Sequence, residues 1–220
     1  MNRVTTGLHQ VCLSVVEDCK LRGATVAVMT VDGAEASVAA SDPEIHAMLD
    51  LQFALGEGPS PDSFATGRPV LVGDLQRSDG RWVGFTGAAL ASGISGVYAF
   101  PLGEGAARLG VLTCYVDAGR ELTSDDLRCC LLAADHATSL LLSSSRDGSA
   151  LPDPEVQQSL TIRSEVYQAQ GMLMVQLGVS LPDALARLRA MAFADGIDLN
   201  ELATDLVTGR RPFPERNDET

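Results

Sequence analysis

The chain has 220 residues, 45% of them hydrophobic, which is enough for one large domain or two modest ones with a true core. Its formal net charge of −13 argues against nonspecific attraction to nucleic acid or to an anionic membrane. There is no apolar run of membrane-spanning length and no signal-peptide pattern at the N-terminus, so a cytoplasmic protein without a membrane partner is expected.

In chain order, residues 4–21 place Val4, Leu8, Val11, Val15 and Cys19 on one helical face. A buried strand over 24–31 then turns through Asp32-Gly33 into a second strand over 36–40. Pro43 to Ala54 reads as a helix capped by Asp42. Gly56-Glu57-Gly58-Pro59 reads as a turn, Val70 to Val72 as a short strand and Arg81 to Ser92 as a helix. Two strong strands, Ile94 to Leu102 and Arg108 to Val116, are joined through Gly103-Glu104-Gly105. Thr123 and Asp126 form a capping box that opens a helix with Leu127, Leu131, Ala134, Thr138 and Leu141 as its apolar face. This order predicts an α+β domain, an antiparallel sheet flanked by helices, over residues 1–142.

Residues 143–154 have linker chemistry, rich in Ser, Gly and Pro. Beyond them no strand signal occurs. Asp153 and Pro154 mark a helix entry, and the stripe Ile162, Val166, Ala169, Leu173 and Leu177 runs to a C-cap at Gly178. Ser180 and Asp183 cap a second helix with Ala184, Leu185, Leu188, Met191 and Ala192 on its apolar face. Gly196 ends it, and Asp198 opens a short third helix with Leu199, Leu202, Ala203 and Leu206. An all-α three-helix unit is expected over 155–210, with a loose tail over 211–220.

The five cysteines are odd in number and form no Cys-x-x-Cys pair, so free thiols are the simplest reading. His9, His46 and His136 lie far apart in the sequence, and no metal site or cofactor is expected. Nucleophile-elbow, Walker, His-Glu-x-x-His and dinucleotide-binding motifs are all missing from the sequence, so an enzyme is not expected.

The stretches Ala169-Gln170-Gly171-Met172-Leu173-Met174, Leu177-Gly178-Val179-Ser180, Asp183 to Ala192 and Leu199 to Ala203 closely resemble the ANTAR domain, with the right gaps over about 50 residues. Less specifically, Leu55 to Pro59, Thr66 to Val70, Arg81-Trp82 with Phe85, Gly93 to Val97, Phe100 to Leu102 and Gly110 to Leu112 resemble a GAF domain over residues 7–142. The pair resembles a GAF-ANTAR transcription antitermination regulator. That resemblance implies RNA stem-loops in nascent transcripts as partners, a homodimer formed through the first C-terminal helix, and a small molecule or signalling protein at the sensor domain.

On this reading Arg163, Ala169, Gln170, Gly171, Met174, Gln176, Arg187 and Arg189 are the candidate RNA-binding residues. Ala169 and Gly171 would allow close approach to the backbone, and the arginines would stack on bases or grip phosphates. Gln170 and Gln176 depart from the family, standing where lysine and arginine are common; they keep hydrogen-bonding capacity and lose charge. Trp82, Phe85, Tyr98 and Cys114 are the candidate ligand-pocket residues of the sensor domain, with core packing as the plain alternative. Ser60 stands where related domains often have Cys, which removes the basis for thiol sensing at that position. From 152 onward there are 6 Arg against 11 acids, which favours a second reading, a dimerising interaction module that has lost RNA binding. A DNA-reading helix-turn-helix ranks last, because Asn200 to Asp205 is acidic.

Overall fold

The computed structural model describes residues 3–30, 35–78, 80–146 and 163–214. They fall into two compact units, 3–146 and 163–214.

The first unit is built on a five-stranded antiparallel sheet in the order β2-β1-β5-β4-β3, with β1 Gly23–Met29, β2 Glu35–Ala40, β3 Val70–Val72, β4 Ile94–Glu104 and β5 Ala107–Asp117. β4 runs two residues beyond the sequence expectation and β5 one residue beyond it at each end, closing on the two-residue turn Gly105-Ala106. Gly105 has φ +60°, the left-handed backbone that such a tight hairpin turn requires. The Asp32-Gly33 turn lies outside the described residues.

Strand alternation sends successive side chains to opposite faces. One face carries Ala24, Val26, Leu112, Cys114, Tyr98 and Phe100, all buried. It is covered by α1 Arg3–Cys19 and α5 Ser124–Arg146, which also pack on each other. α1 buries the stripe read from sequence, Leu8, Val11, Val15 and Cys19, together with Cys12. α5 keeps Ala134 of its expected face and differs in the rest of what it buries. Its buried residues are Cys130, Ala134 and Ala137, whereas Leu131 is 48% exposed. A shift of one residue turns a helix by about 100°, and close packing on α1 selects the small side chains. α5 also continues to Arg146, so residues 143–146 are helix rather than linker.

The opposite face holds α2 Pro43–Leu55, α3 Pro59–Thr66 and α4 Val83–Ala91. Asp42 caps α2 by accepting from the Ile45 amide at 3.0 Å, as its sequence predicts. α3 replaces the expected turn after Gly58. Pro59 occupies its first position and Pro61 its first turn, where a missing N–H costs nothing, so the two prolines start a helix rather than forbid one. α4 is capped from a distance, because Glu57 Oε1 accepts from the amides of Gly84 at 2.8 Å and Phe85 at 3.2 Å. Just before α4, Trp82 takes a left-handed backbone, φ 52°, and its indole donates to Asp62 Oδ2 at 3.1 Å. Arg81 pairs with the same carboxylate at 2.7 Å and lies over the Trp82 ring.

The second unit is all-α: α6 Ser164–Leu177, α7 Leu181–Asp195 and α8 Leu199–Val207. Val166, Ala169 and Leu173 of α6 are buried, as are Ala184, Leu185, Leu188 and Ala192 of α7 and Leu199, Leu202, Ala203 and Leu206 of α8. Gly178 and Gly196 close α6 and α7 in the left-handed conformation. Ser180 Oγ accepts from the Asp183 amide, and Asp198 caps α8 through the amides of Asn200 and Glu201. The helix entry read at Asp153 and Pro154, and Ile162 of the apolar stripe, lie outside the described residues. The first four residues of the expected tail are tied down in part: Arg211 pairs with Asp195 at 2.5 Å, and Pro214 accepts from Gln176 at 3.2 Å.

Candidate functional site

The four residues expected to line one sensor pocket do not come together. Trp82 and Phe85 meet edge to face, 6.4 Å between centroids, in a cluster with Ile45, Met48, Val97 and Tyr115 on the α2–α4 face of the sheet. Tyr98 and Cys114 are register partners in β4 and β5 and face α1 and α5. The Tyr98 hydroxyl accepts from the Leu122 amide at 3.3 Å, and Cys114 is fully buried. Strand alternation separates the two pairs.

A different set of side chains gathers between the sheet and helices α2 and α3. Gln52 is fully buried; its Nε2 donates to the Tyr115 hydroxyl at 3.2 Å, and its Oε1 accepts from the Ser60 amide at 2.9 Å. Ser60 Oγ in turn shares a 2.8 Å hydrogen bond with Thr113 Oγ1. Ser37, on the same face of β2, is buried with its Oγ lacking a hydrogen-bond partner among the described residues. Burial pushes the Tyr115 hydroxyl far above its ordinary pKa, so it stays a neutral donor and acceptor. With the buried Glu35 on the same face of β2, these groups form a polar strip inside an apolar layer, the kind of surface that orients a small polar ligand. The sequence carried one trace of it: Thr113 and Tyr115 are polar at alternate positions of an otherwise apolar strand.

In the helical unit, three of the expected contacts are buried. Ala169 packs against the neighbouring helices with no exposed surface. Gln170 is 4% exposed, and its Nε2 donates to the Leu181 carbonyl at 2.8 Å. Arg163 is likewise buried, just ahead of α6. Gln176 is exposed and donates to Pro214, and Met174 is half-buried. Gly171 behaves differently. A side chain built there would meet nothing within 4 Å among the described residues. It lies on the outward stripe of α6 with Gln168, Met172 and Val175, which are exposed.

The described helical unit holds five Arg and six acids. Arg210 and Arg211 pair with Asp205 and Asp195. Arg187 is exposed and Arg189 half-buried. Phe193, four residues beyond Arg189 and therefore beside it on the helix surface, is 83% exposed. Sequence reading passed over Phe193. Its signal was an aromatic placed off the apolar stripe of α7.

An antiparallel sheet with two helices on one face, and a polar strip under short helices on the other, defines a sensor-type α+β domain followed by a helical output unit. The GAF domain family model matches residues 5–141 and the ANTAR domain family model matches residues 155–207. The chain belongs to the GAF family and carries an ANTAR domain after the GAF domain, the architecture expected from its motifs.

No curated protein sequence matches the chain. Among solved structures, the GAF3 domain of Slr1393 from Synechocystis, in its photoproduct state, is 12% identical with a TM-score of 0.52, covering 67% of this chain and 99% of that one. The GAF domain of a phosphoenolpyruvate-protein phosphotransferase from Coxiella burnetii is 14% identical with a TM-score of 0.51, over 68% and 88%. Free methionine-R-sulfoxide reductase from Neisseria meningitidis, in complex with its substrate, is 15% identical with a TM-score of 0.50, over 66% and 81%. At these identities the likeness is one of fold. GAF and ANTAR domains are regulatory, and among the described residues no helix is long and apolar enough to cross a membrane.

Proposed function

We propose that the protein is a signal-responsive transcription antitermination regulator, not an enzyme, that acts in the cytoplasm and holds RNA stem-loops through its helical unit. The reading rests on the ANTAR match, and the observation that carries it is Gly171. A glycine within a helix costs about 1 kcal/mol relative to alanine, yet nothing inside the described unit needs its small size. Close approach by something from outside accounts for it. Hairpin loops present unstacked bases, which Arg187, Arg189 and Phe193 of α7 are chemically suited to receive. Binding would depend on stacking and local cations, because the unit has more acids than arginines.

In the sensor domain, the strip of Gln52, Ser60, Thr113 and Ser37 would recognise a small polar molecule. Exposed Met172 and Val175 favour a second role for α6, pairing with another copy of the chain. The test is a gel shift with a paired hexaloop hairpin RNA across salt concentrations, on wild type and Arg189→Ala. Retarded hairpin, weakened by the variant without unfolding, supports the reading. A dimer that retards no hairpin at low salt overturns it and leaves the dimerising module.

A further inference from the structure

The short segment from Gly56 to Asp62 faces two ways. Ser60 belongs to the polar strip, where its amide donates to Gln52 Oε1 at 2.9 Å and its hydroxyl bonds Thr113 at 2.8 Å. Glu57 and Asp62, on either side of it in sequence, reach instead to the start of α4. Glu57 Oε1 accepts from the Gly84 and Phe85 amides, and Asp62 Oδ2 accepts from the Arg81 guanidinium and the Trp82 indole. Two carboxylates thus latch α4 by its N-terminal end.

The helix they hold is weak by construction. α4 has nine residues, too few to be stable alone. Two of them are glycine, and a glycine inside a helix costs stability relative to alanine. Gly84 has a packing reason, because a Cβ there would meet Leu55 at 3.0 Å and Glu57 at 3.2 Å. At Gly87 a Cβ would meet nothing within 4 Å among the described residues. α4 buries Phe85 and Ala89, while Val83 is 74% exposed. Immediately before it, Trp82 stands at φ 52° and ψ 58°, a left-handed backbone that is strained for a bulky side chain. Detachment relieves that strain. Gly80 and Gly93, at φ +73° and +80°, flank the segment and let its ends turn.

What α4 covers is the end of the strip. Trp82 and Phe85 pack in the cluster that contains Tyr115, and the Tyr115 hydroxyl is the one that Gln52 bonds. We infer, on the reading of Gln52, Ser60, Thr113 and Ser37 as a ligand strip, that residues 81–91 are a hinged lid. It opens without unfolding the sheet and gives the strip its access to solvent. Lid and strip share one segment of chain, so a ligand that shifts Ser60 also shifts Glu57 and Asp62 and changes the hold on α4. Elements that move for ligand entry are drawn from the least stable parts of a fold, and α4 answers that description.

Amide hydrogen exchange of the full-length chain, read residue by residue by NMR, tests the lid. The α4 amides from Thr86 to Ala91 should be protected roughly tenfold or more below the paired amides of β4 and β5, with little dependence on urea. The Ser60 amide should share the α4 protection, because one opening exposes both. Gly87→Ala should raise the protection of α4 and Ser60 together by about fourfold. The added methyl touches nothing, so its effect reaches Ser60 through the shared opening. Glu57→Ala removes the latch on the first amides of α4 and should lower both by about fivefold. α4 amides that exchange only with the sheet overturn the lid. So does a Ser60 amide indifferent to Gly87→Ala, since α4 would then open without uncovering the strip. Neither ligand nor RNA enters the measurement, so its failure sinks the lid alone, and the reading of the strip stands or falls on ligand binding.

Discussion

Gln170 reaches from the middle of α6 to the first residue of α7, donating to the Leu181 carbonyl at 2.8 Å while almost fully buried. It therefore acts as a strut between two helices rather than as a contact on the surface. Gln170→Ala removes the bond and leaves a void, and should destabilise the helical unit by about 1–2 kcal/mol. Gln170→Lys keeps a donor on a long stem and should recover most of that loss. Urea unfolding of the three proteins, read by helical circular dichroism, checks the order wild type, lysine, alanine.

The helical unit was legible because three independent signals agreed in it. Caps at Ser180 and Asp198, glycine stops at Gly178 and Gly196, and apolar stripes all marked the same boundaries. α3 was hidden because Pro59 and Pro61 carry turn chemistry, and only position within the first turn reverses their meaning. On α5 Ala134 is buried as read, while Cys130 and Ala137 take the buried places read at Leu131 and Thr138, because Leu outranks Cys in any hydrophobic count and packing against α1 favours the smaller group. The site residues were the least legible. A motif identifies Ala169 and Gln170 as characteristic without saying whether they serve the surface or the framework, and burial decides that. Tyr98 and Phe85 both read as pocket aromatics, yet strand alternation places them on opposite sides of the sheet.

The sensor strip predicts a large penalty at one residue. Gln52 holds both the Tyr115 hydroxyl and the Ser60 amide. Gln52→Leu leaves two buried polar groups unpaired, at a cost of about 2–4 kcal/mol. Ser60→Ala releases only Thr113 and should cost about 1 kcal/mol. Thermal unfolding of the two variants side by side checks the ratio.

The start of α5 carries a pH dependence. The Thr123 amide donates to Asp126 Oδ2 at 3.0 Å, the Thr123 hydroxyl at 2.9 Å, and Arg120 lies 3.5 Å away. The Thr123 amide first, and then these partners, hold the Asp126 carboxyl below its ordinary pKa. A depressed folded-state pKa contributes stability that is fully present above the unfolded value, roughly pH 4, and is lost as pH falls through the folded value. Asp126→Asn should therefore lower stability at pH 7 and flatten the decline below pH 4. Midpoints from unfolding curves between pH 2.5 and 7 test this, and parallel curves for wild type and variant would assign the acid sensitivity to other carboxylates.

Gly171 separates stability from function. With open space beside it, Gly171→Ala should stabilise the helical unit by about 0.5–1 kcal/mol, because the backbone has less entropy to lose. The same methyl stands where a partner must come close, so hairpin affinity should fall. A variant that unfolds at higher urea and retards less RNA is the expected outcome. Unchanged affinity would remove the α6 stripe from the interface.

Phe193 offers the sharpest test of how RNA is held. At 83% exposure it contributes little to the core, so Phe193→Ala should leave the unfolding midpoint within about 0.5 kcal/mol of wild type. An exposed ring beside Arg189 is a stacking platform, and losing one stacked base costs about 1–3 kcal/mol, roughly a 5- to 150-fold weakening. Stacking is uncharged, so the salt dependence of binding should keep its slope in Phe193→Ala. Arg187→Ala should instead flatten that slope by close to one phosphate contact. Measured by fluorescence anisotropy with a labelled hairpin at four salt concentrations, the two variants should part in this way. If Phe193→Ala changes neither affinity nor slope, α7 does not read the loop by stacking, and the aromatic belongs to a protein-facing surface.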